Sequence, residues 1–217
     1  MALRRKEKRT EQSKLDATPP WETRRPHESL PTTGPYDVAD SPADDTERLD
    51  LGALRVPADS GLEIRVEVGE DGQVVGVTLL NPTGQMQLGV FAAPRKDGIW
   101  DEIRAEIKAS ISSQGGTVSE QEGEFGLELV GRLPVPGGLT PVRFVGVDGP
   151  RWFLRAMLAG APAMEDEQAQ PFLAAFRGLV VVRGNDPLPV RDPVPLQLPK
   201  EAVEQLAAAE ATEPQDG

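Results

Sequence analysis

The chain has 217 residues, of which 38% are hydrophobic and 5% aromatic, and it carries a formal net charge of −12. This length suits one domain with tails, or at most two small domains, with a core built mainly from Val, Leu, Ile and Ala. The sequence contains no cysteine, which excludes disulfides, thiolate catalysis and Cys-ligated metals.

Residues 1–48 are predicted to form a disordered arm whose charge changes sign along its length. Residues 1–25 hold eight basic and four acidic residues, whereas residues 26–48 hold one basic and six acidic residues. Six prolines and the lack of hydrophobic periodicity leave too little apolar surface to offset the entropy of ordering. A basic tip on an acidic body favours weak electrostatic contact with nucleic acid, an anionic membrane or the body itself. The basic residues of this tip are Arg4, Arg5, Lys6, Lys8 and Arg9.

Three strands and a helix are predicted between residues 62 and 116. In 62–68 apolar and charged residues alternate strictly, which is typical of a half-buried strand. Turn sequences separate this strand from two others, 73–80 and 85–92, and this spacing favours an antiparallel meander. In the helix that follows, Asp97 is the predicted cap and isoleucines recur every four residues on the side that faces a core. These isoleucines are Ile99, Ile103, Ile107 and Ile111.

The second half repeats this order of elements. Strands are predicted at 124–133, 142–147 and 151–158, and a helix at 170–178 with Pro171 in its first turn. A last strand or extended cover is predicted at 179–182. Two βββα units favour an α+β fold in which helices pack on an antiparallel sheet.

The predicted organisation is a single domain at 49–198, preceded by the arm. Five prolines within residues 187–199 indicate an extended strap at 185–198, and the thin apolar face of 199–217 predicts a frayed helix or a disordered tail. No run approaches the ~20 apolar residues that a membrane-spanning helix needs. Since the absence of cysteine also suits a reducing compartment, we expect a cytoplasmic protein.

The stretch GPRWFLRAML, residues 149–158, is either part of a strand or a binding surface. Its even-numbered residues from Trp152 onwards are all apolar, which predicts that they face the core and that Phe153 joins a mixed face. A hairpin that keeps the apolar residues together places Arg143 opposite Arg155. Because two arginines repel unless an anion separates them, this face holds either a charge ladder with Glu128 or a site for an anion or acidic partner. The candidate surface consists of Arg143, Arg151, Phe153 and Arg155.

Residues 49–198 lack side chains that many enzyme classes need for catalysis. The only histidine is His27 and the only tyrosine is Tyr36, so residues 49–198 contain neither of them. A Ser/His/Asp triad and a His-ligated zinc site therefore cannot be assembled from that part of the chain. The sequence also lacks the glycine-rich phosphate-binding motifs. We expect no catalytic residues, no cofactor and no metal.

Three functions remain open at this stage. The first is a non-catalytic cytoplasmic binding or adapter protein whose partner is another protein. The second is a nucleic-acid-associated protein that uses the basic arm, although the body is acidic and shows no interleaved basic and aromatic strand surface. The third is an enzyme that uses carboxylates alone, drawn from the alternating glutamates Glu120, Glu122 and Glu124. Such alternation is more often a solvated strand or loop.

A family resemblance is carried by four stretches of the chain. They are RRKEKR at the tip, RLDLGALRVP at 48–57, GPRWFLRAML at 149–158 and FRGLVVVRG at 176–184. Together they resemble the actinobacterial domain-of-unknown-function family 3710 over about residues 45–198. The resemblance implies no activity and no catalytic residues. The element order is also similar to the Mog1/PsbP type of α+β sandwich, whose members are mostly binding or assembly factors, an analogy of architecture alone.

Overall fold

The computed structural model describes residues 33–69, 73–95 and 97–199. These residues form eleven strands, two α-helices and two short 3-10 turns at Val38–Asp40 and Ala161–Ala163. The strands are β1 Tyr36–Asp37, β2 Arg48–Asp50, β3 Leu54–Pro57, β4 Glu63–Val68, β5 Val74–Asn81, β6 Gly84–Ala92, β7 Thr117–Gly123, β8 Gly126–Val135, β9 Gly138–Gly149, β10 Trp152–Gly160 and β11 Val180–Val181. The helices are α1 Trp100–Ser113 and α2 Asp166–Arg177.

Seven strands form the main sheet, which is antiparallel throughout and has the order β4-β5-β6-β10-β9-β8-β7. The other four strands form a small mixed sheet with the order β1-β11-β3-β2. The α+β class and the antiparallel sheet are confirmed, but the second unit has four strands rather than three. The additional strand, β7, is a polar edge strand whose side chains are mostly exposed, so its sequence lacks the apolar alternation that predicts a strand.

The main sheet is buried on both faces where the helices cover it. On one face, which we call the α2 face, α2 and the small sheet enclose a core that includes Trp152, Leu154 and Phe172. On the opposite face, the α1 face, α1 packs against β7, β8 and β9, and Trp100 reaches Phe153 on β10. Within the described residues, neither helix is long and apolar enough to cross a membrane.

The register of the β9–β10 hairpin differs from the predicted one. Arg155 pairs with Gly146 and Arg143 pairs with Leu158, so the two arginines lie on opposite faces of the sheet. The predicted pairing of Arg143 with Arg155 is therefore wrong, and the three-residue charge ladder falls with it. Its premise was that the even-numbered apolar residues of both strands share one face, whereas both faces of this hairpin carry buried apolar side chains. The turn is also shorter than expected, with two residues between the paired Gly149 and Trp152.

The folded part of the chain begins before residue 48. β1 pairs in parallel with β11, and the indole Nε1 of Trp152 donates a hydrogen bond of 2.7 Å to Oδ2 of Asp37. The arm boundary predicted at residue 48 is therefore too late, because an acidic, proline-rich sequence conceals a short strand and a buried contact. Residues 1–32, with the basic tip, lie outside the described part of the chain.

The segment 185–198 follows an extended course along the main sheet. The backbone N–H of Val194 donates to the carbonyl of Val90 at 2.9 Å, and Leu196 bridges to Val74. Val194 and Leu196 are buried in the core on the α2 face. On the α1 side, Arg191 forms ion pairs with two glutamates of α1, Glu102 at 2.9 Å and Glu106 at 2.8 Å. The helix or disordered tail predicted at 199–217 lies beyond residue 199, outside the described part of the chain.

Both helices begin differently from the prediction. In α1 the N-cap position is Ile99, which makes no side-chain cap, and Asp97 does not serve as the cap. Instead the carboxylate of Asp148, at the end of β9, accepts hydrogen bonds from the N–H groups of Ile99 and Trp100 at 2.8 and 3.1 Å. In α2 the first residue is Asp166, so Pro171 lies inside the helix, in the second turn rather than the first.

Replacement of Asp148 with alanine is expected to lower the free energy of unfolding by about 1 kcal/mol, because two N–H groups of the first turn of α1 lose their acceptor. Asp148→Asn keeps a side-chain oxygen and should recover part of the loss. Urea denaturation of the three proteins measures the effect. Equal stability of the alanine variant and the wild type would show that this cap is dispensable.

Candidate binding face

Arg155 is a partly buried cation in the middle of the α1 face. It lies on β10 between two glycines, Gly89 of β6 and Gly146 of β9, which are its direct cross-strand neighbours. The guanidinium sits 5.1 Å from the ring centroid of Phe91, one diagonal step away across the β6–β10 pair. Because both direct neighbours lack a side chain, the positions beside Arg155 are open to side chains from elsewhere in the fold.

Aromatic rings occupy the space above the two glycines. A Cβ added at Gly89 would lie 2.9 Å from the ring of Phe91, and one added at Gly146 would lie 2.5 Å from the indole of Trp100. The indole also stacks on Phe153 with a centroid separation of 5.6 Å. Phe91 therefore lies against the guanidinium of Arg155, which its π face favours, and Trp100 covers the glycine on the other side of Arg155.

No carboxylate satisfies Arg155. Its contact with Phe91 is the only specific interaction that its side chain makes with the residues described by the structure. Burial lowers the pKa of this guanidinium, because part of its hydration is lost without an anion in return. An arginine remains charged in proteins nevertheless, so within the described residues the face presents one desolvated positive charge without a counterion.

Arg143 and Glu128 form a buried ion pair on the α2 face. The guanidinium Nε of Arg143 donates to Oε2 of Glu128 at 2.6 Å, and NH1 donates to Oδ1 of Asp166 at 2.7 Å. Glu128 is 0% exposed and Arg143 is 4% exposed, whereas the Asp166 side chain is 81% exposed. The predicted contact of Arg143 with Glu128 is thus present, but the third member is Asp166 of α2 and not Arg155. This pair ties the start of α2 to the sheet.

The carboxylate of Glu128 is only half satisfied. Its second oxygen, Oε1, is buried and has no hydrogen-bond partner, and it packs against the backbone of Gly123 so closely that a Cβ there would lie 2.0 Å from it. Burial raises the pKa of Glu128, since the cost of desolvating the carboxylate outweighs its attraction to Arg143. The guanidinium of Arg143 stays charged, so Glu128 is the member of the pair that titrates.

This shift predicts how stability depends on pH. Since the folded state holds the Glu128 proton to higher pH than the unfolded state, its contribution is complete below the unfolded pKa and is lost as pH rises through the folded pKa. Relative to Glu128→Gln, which has no proton to lose, the wild type should therefore lose stability as pH increases from acid to neutral. Urea denaturation across that range checks this. A difference that stays constant, or that changes in favour of the wild type, would contradict it.

Two other members of the predicted surface have structural roles. Phe153 is 0% exposed and lies in the core beneath α1, so its assignment to a binding surface is wrong. Arg151 occupies the turn before β10 with φ of 65°, and its guanidinium donates to the carbonyl of Gly184. Arg183 in turn donates from Nε to the carbonyl of Arg151 at 3.2 Å. These arginines connect the turn to the segment after β11.

The alternating glutamates do not converge on one site. Glu120 lies 3.7 Å from Arg104 and 3.8 Å from Lys108, and Glu124 pairs with Arg177 of α2. Among the residues that the structure describes, no group of three or more His, Asp or Glu side chains could hold a metal ion. Each of the two carboxylates thus has basic neighbours of its own on a different part of the protein.

The geometry defines an α+β protein with a helix on each face of an antiparallel sheet. Its α1 face carries a partly buried arginine, Arg155, that forms no ion pair with the described residues. The chain belongs to the family described as "Protein of unknown function (DUF3710)", whose model matches residues 34–205. The match begins at the residues that precede β1, in agreement with the early start of the fold. A search of the curated proteins finds no match.

Sequence reasoning selected Arg155 but not its surroundings. The roles of Gly89, Gly146 and Phe91 depend on which strands are neighbours, because β6 and β10 are more than 50 residues apart in the chain yet paired in the sheet. Asp166 was likewise missed as a partner of Arg143. The available signal is the acidic run 165–167 before the predicted helix, but carboxylates in that place are already accounted for by the helix dipole.

Proposed function

We propose that this protein is a non-catalytic, cytoplasmic binding or adapter module that docks another protein on its α1 face. The observation that carries this proposal is Arg155, a partly buried arginine with aromatic neighbours and no anionic partner in the described residues. A desolvated charge lowers the stability of a fold unless something compensates it. A docked partner that supplies an anion would provide that compensation.

The distribution of the other charged groups supports binding over catalysis. General acid–base chemistry needs a proton-transfer group within reach of a bound substrate. The perturbed carboxyl of Glu128 is fully buried on the α2 face, behind Arg143 and Asp166. Arg155, on the opposite face, is a charge that does not exchange protons at neutral pH. It suits recognition better than proton transfer.

The cellular setting and the kind of partner are inferred from the sequence. The absence of cysteine fits a reducing cytoplasm. The analogy with Mog1/PsbP sandwiches, among which binding and assembly factors predominate, supports a partner that is itself a protein.

Capture by immobilised full-length chain tests the proposal. Wild type, Arg155→Gln and Arg132→Gln are compared, since Arg132 is an exposed arginine of β8 that likewise has no ion-pair partner in the described residues. A partner retained by wild type and Arg132→Gln but lost by Arg155→Gln is the expected result. Retention by all three would remove the α1 face from the function.

The same experiment distinguishes the second function. If the basic tip of Arg4, Arg5, Lys6, Lys8 and Arg9 binds nucleic acid, binding should be independent of sequence and should weaken steeply with salt. It should also be unaffected by Arg155→Gln and abolished by removal of residues 1–32. That pattern would favour the nucleic-acid-associated protein over the adapter.

A further inference from the structure

We propose that the anion recognised at Arg155 is a carboxylate, supplied by an aspartate or glutamate side chain in an extended, otherwise apolar segment of the partner. This inference rests on the proposed function and specifies its ligand. Three features of the α1 face carry it: a single guanidinium, the apolar residues beside it, and the negative charges of α1.

A single guanidinium matches a single carboxylate in both charge and shape. Its fork of N–H groups can donate two parallel hydrogen bonds to the two oxygens of one carboxylate. The rings of Phe91 and Trp100 fill the positions above Gly89 and Gly146, so a carboxylate approaches Arg155 from the solvent side, where this side chain is partly exposed. The ring of Phe91 lies against the guanidinium, and no group of the described residues engages the N–H donors of Arg155.

A phosphate fits this face less well. It carries nearly two negative charges at neutral pH, and the structure provides one uncompensated guanidinium. Arg191, another cation on the α1 side, is already engaged by Glu102 and Glu106 of α1. Those two glutamates add negative charge to this side of the molecule, which opposes a doubly charged ligand more strongly than a singly charged one.

The partly buried apolar residues of the α1 face indicate what flanks the carboxylate. Phe91, Met157, Ile103 and Ile107 are partly buried and pack against the core on the α1 face. Their remaining exposed surface is apolar, so residues on either side of the acidic one gain by being apolar themselves. On the β6 side, exposed Gln87 lies across from Met157 and offers an amide to a peptide backbone.

Three blocked peptides that differ in one side chain test the ligand class. They are Ac-Leu-Glu-Leu-NH2, its glutamine counterpart and its phosphoserine counterpart, titrated into the ¹⁵N-labelled full-length chain. The Nε–Hε signal of Arg155 and the amide signal of Phe91 report binding by NMR. Charge-assisted hydrogen bonds should make the glutamate peptide bind about tenfold more tightly than the glutamine peptide. Arg155→Gln should remove this preference, Arg155→Lys should keep part of it, and Arg132→Gln should leave it intact.

Each result bears on the inference. Equal binding of the glutamate and glutamine peptides, or a preference that survives Arg155→Gln, overturns it, and tighter binding of the phosphoserine peptide assigns the site to phosphate instead. If the peptides show no preference while Arg155→Gln still abolishes capture of a partner, the ligand class is wrong and the proposed function stands. If capture also persists, the proposed function falls as well. Because the comparison of peptides uses the wild type, it remains decisive even if a variant fails to fold.

Discussion

Replacement of Arg143 with alanine is expected to lower the free energy of unfolding by about 3–5 kcal/mol, the usual cost of removing one member of a buried ion pair. Glu128 is 0% exposed, and it would lose the guanidinium Nε that now lies 2.6 Å from its Oε2. Its Oε1 already lacks a partner. The substitution therefore leaves a buried carboxylate with no hydrogen bond at all, together with a cavity. Urea denaturation monitored by tryptophan fluorescence measures the change.

Two further variants separate the loss of the charge partner from the loss of volume. Arg132→Ala removes an exposed arginine of β8 and should change stability by no more than about 0.5 kcal/mol. The double variant Glu128→Leu with Arg143→Met removes both charges and keeps the space filled, so it should regain most of the stability that Arg143→Ala loses. A double variant as unstable as Arg143→Ala would show that packing, and not the unpaired charge, dominates this site.

Much of the main sheet could be predicted because its strands carry a clear alternation. β4 combines exposed glutamates with partly buried Ile64 and Val66, and β6 buries Met86, Leu88 and Val90 as expected. These strands have one apolar and one polar face, so the period of two indicates both the structure and the side. The α+β class follows from the spacing of such segments and the two helices between and after them.

The predicted register failed where this condition does not hold. Along β9 and β10 both Trp152 and Phe153 are 0% exposed, because α2 covers one face and α1 the other. When both faces are apolar, a register shift of one residue still places apolar side chains on buried faces. The alternation pattern therefore cannot distinguish one register from the next. The error moved Arg143 to the wrong side of the sheet and merged two separate sites, the Glu128 pair and Arg155, into one.

The remaining surprises are long-range polar contacts. Asp148 caps α1 from a distance of 48 to 49 residues along the chain, and Asp37 accepts the indole N–H of a residue 115 positions away. Single-sequence reasoning finds caps and turns from neighbours in the chain, which is why it assigned the cap to Asp97 and left Asp37 in a disordered arm. Contacts of this kind become visible only when the order of the strands is known.

Replacement of Trp152 with alanine is the second change with a large expected effect, about 3–5 kcal/mol of lost stability. The indole is 0% exposed and belongs to the core on the α2 face. It also covers Gly149 across the hairpin, where an added Cβ would lie 2.1 Å from the ring. Alanine would therefore leave a cavity with a rigid floor that the surrounding sheet cannot fill by collapsing.

The hydrogen bond of Trp152 to Asp37 adds a specific signature to this loss. Trp152→Phe keeps most of the ring volume but removes the 2.7 Å bond, so it should cost less than alanine, about 1–2 kcal/mol, and should selectively loosen β1. Hydrogen exchange at the amide of Tyr36, which donates to the carbonyl of Leu179 at 2.9 Å, reports that loosening. Val75→Ala, at a residue that is 67% exposed on β5, serves as the control and should be near neutral. A loss below about 1 kcal/mol for Trp152→Ala would mean that Trp152 is not in the core, whereas unchanged exchange at Tyr36 in Trp152→Phe would show that β1 is held by its strand pairing alone.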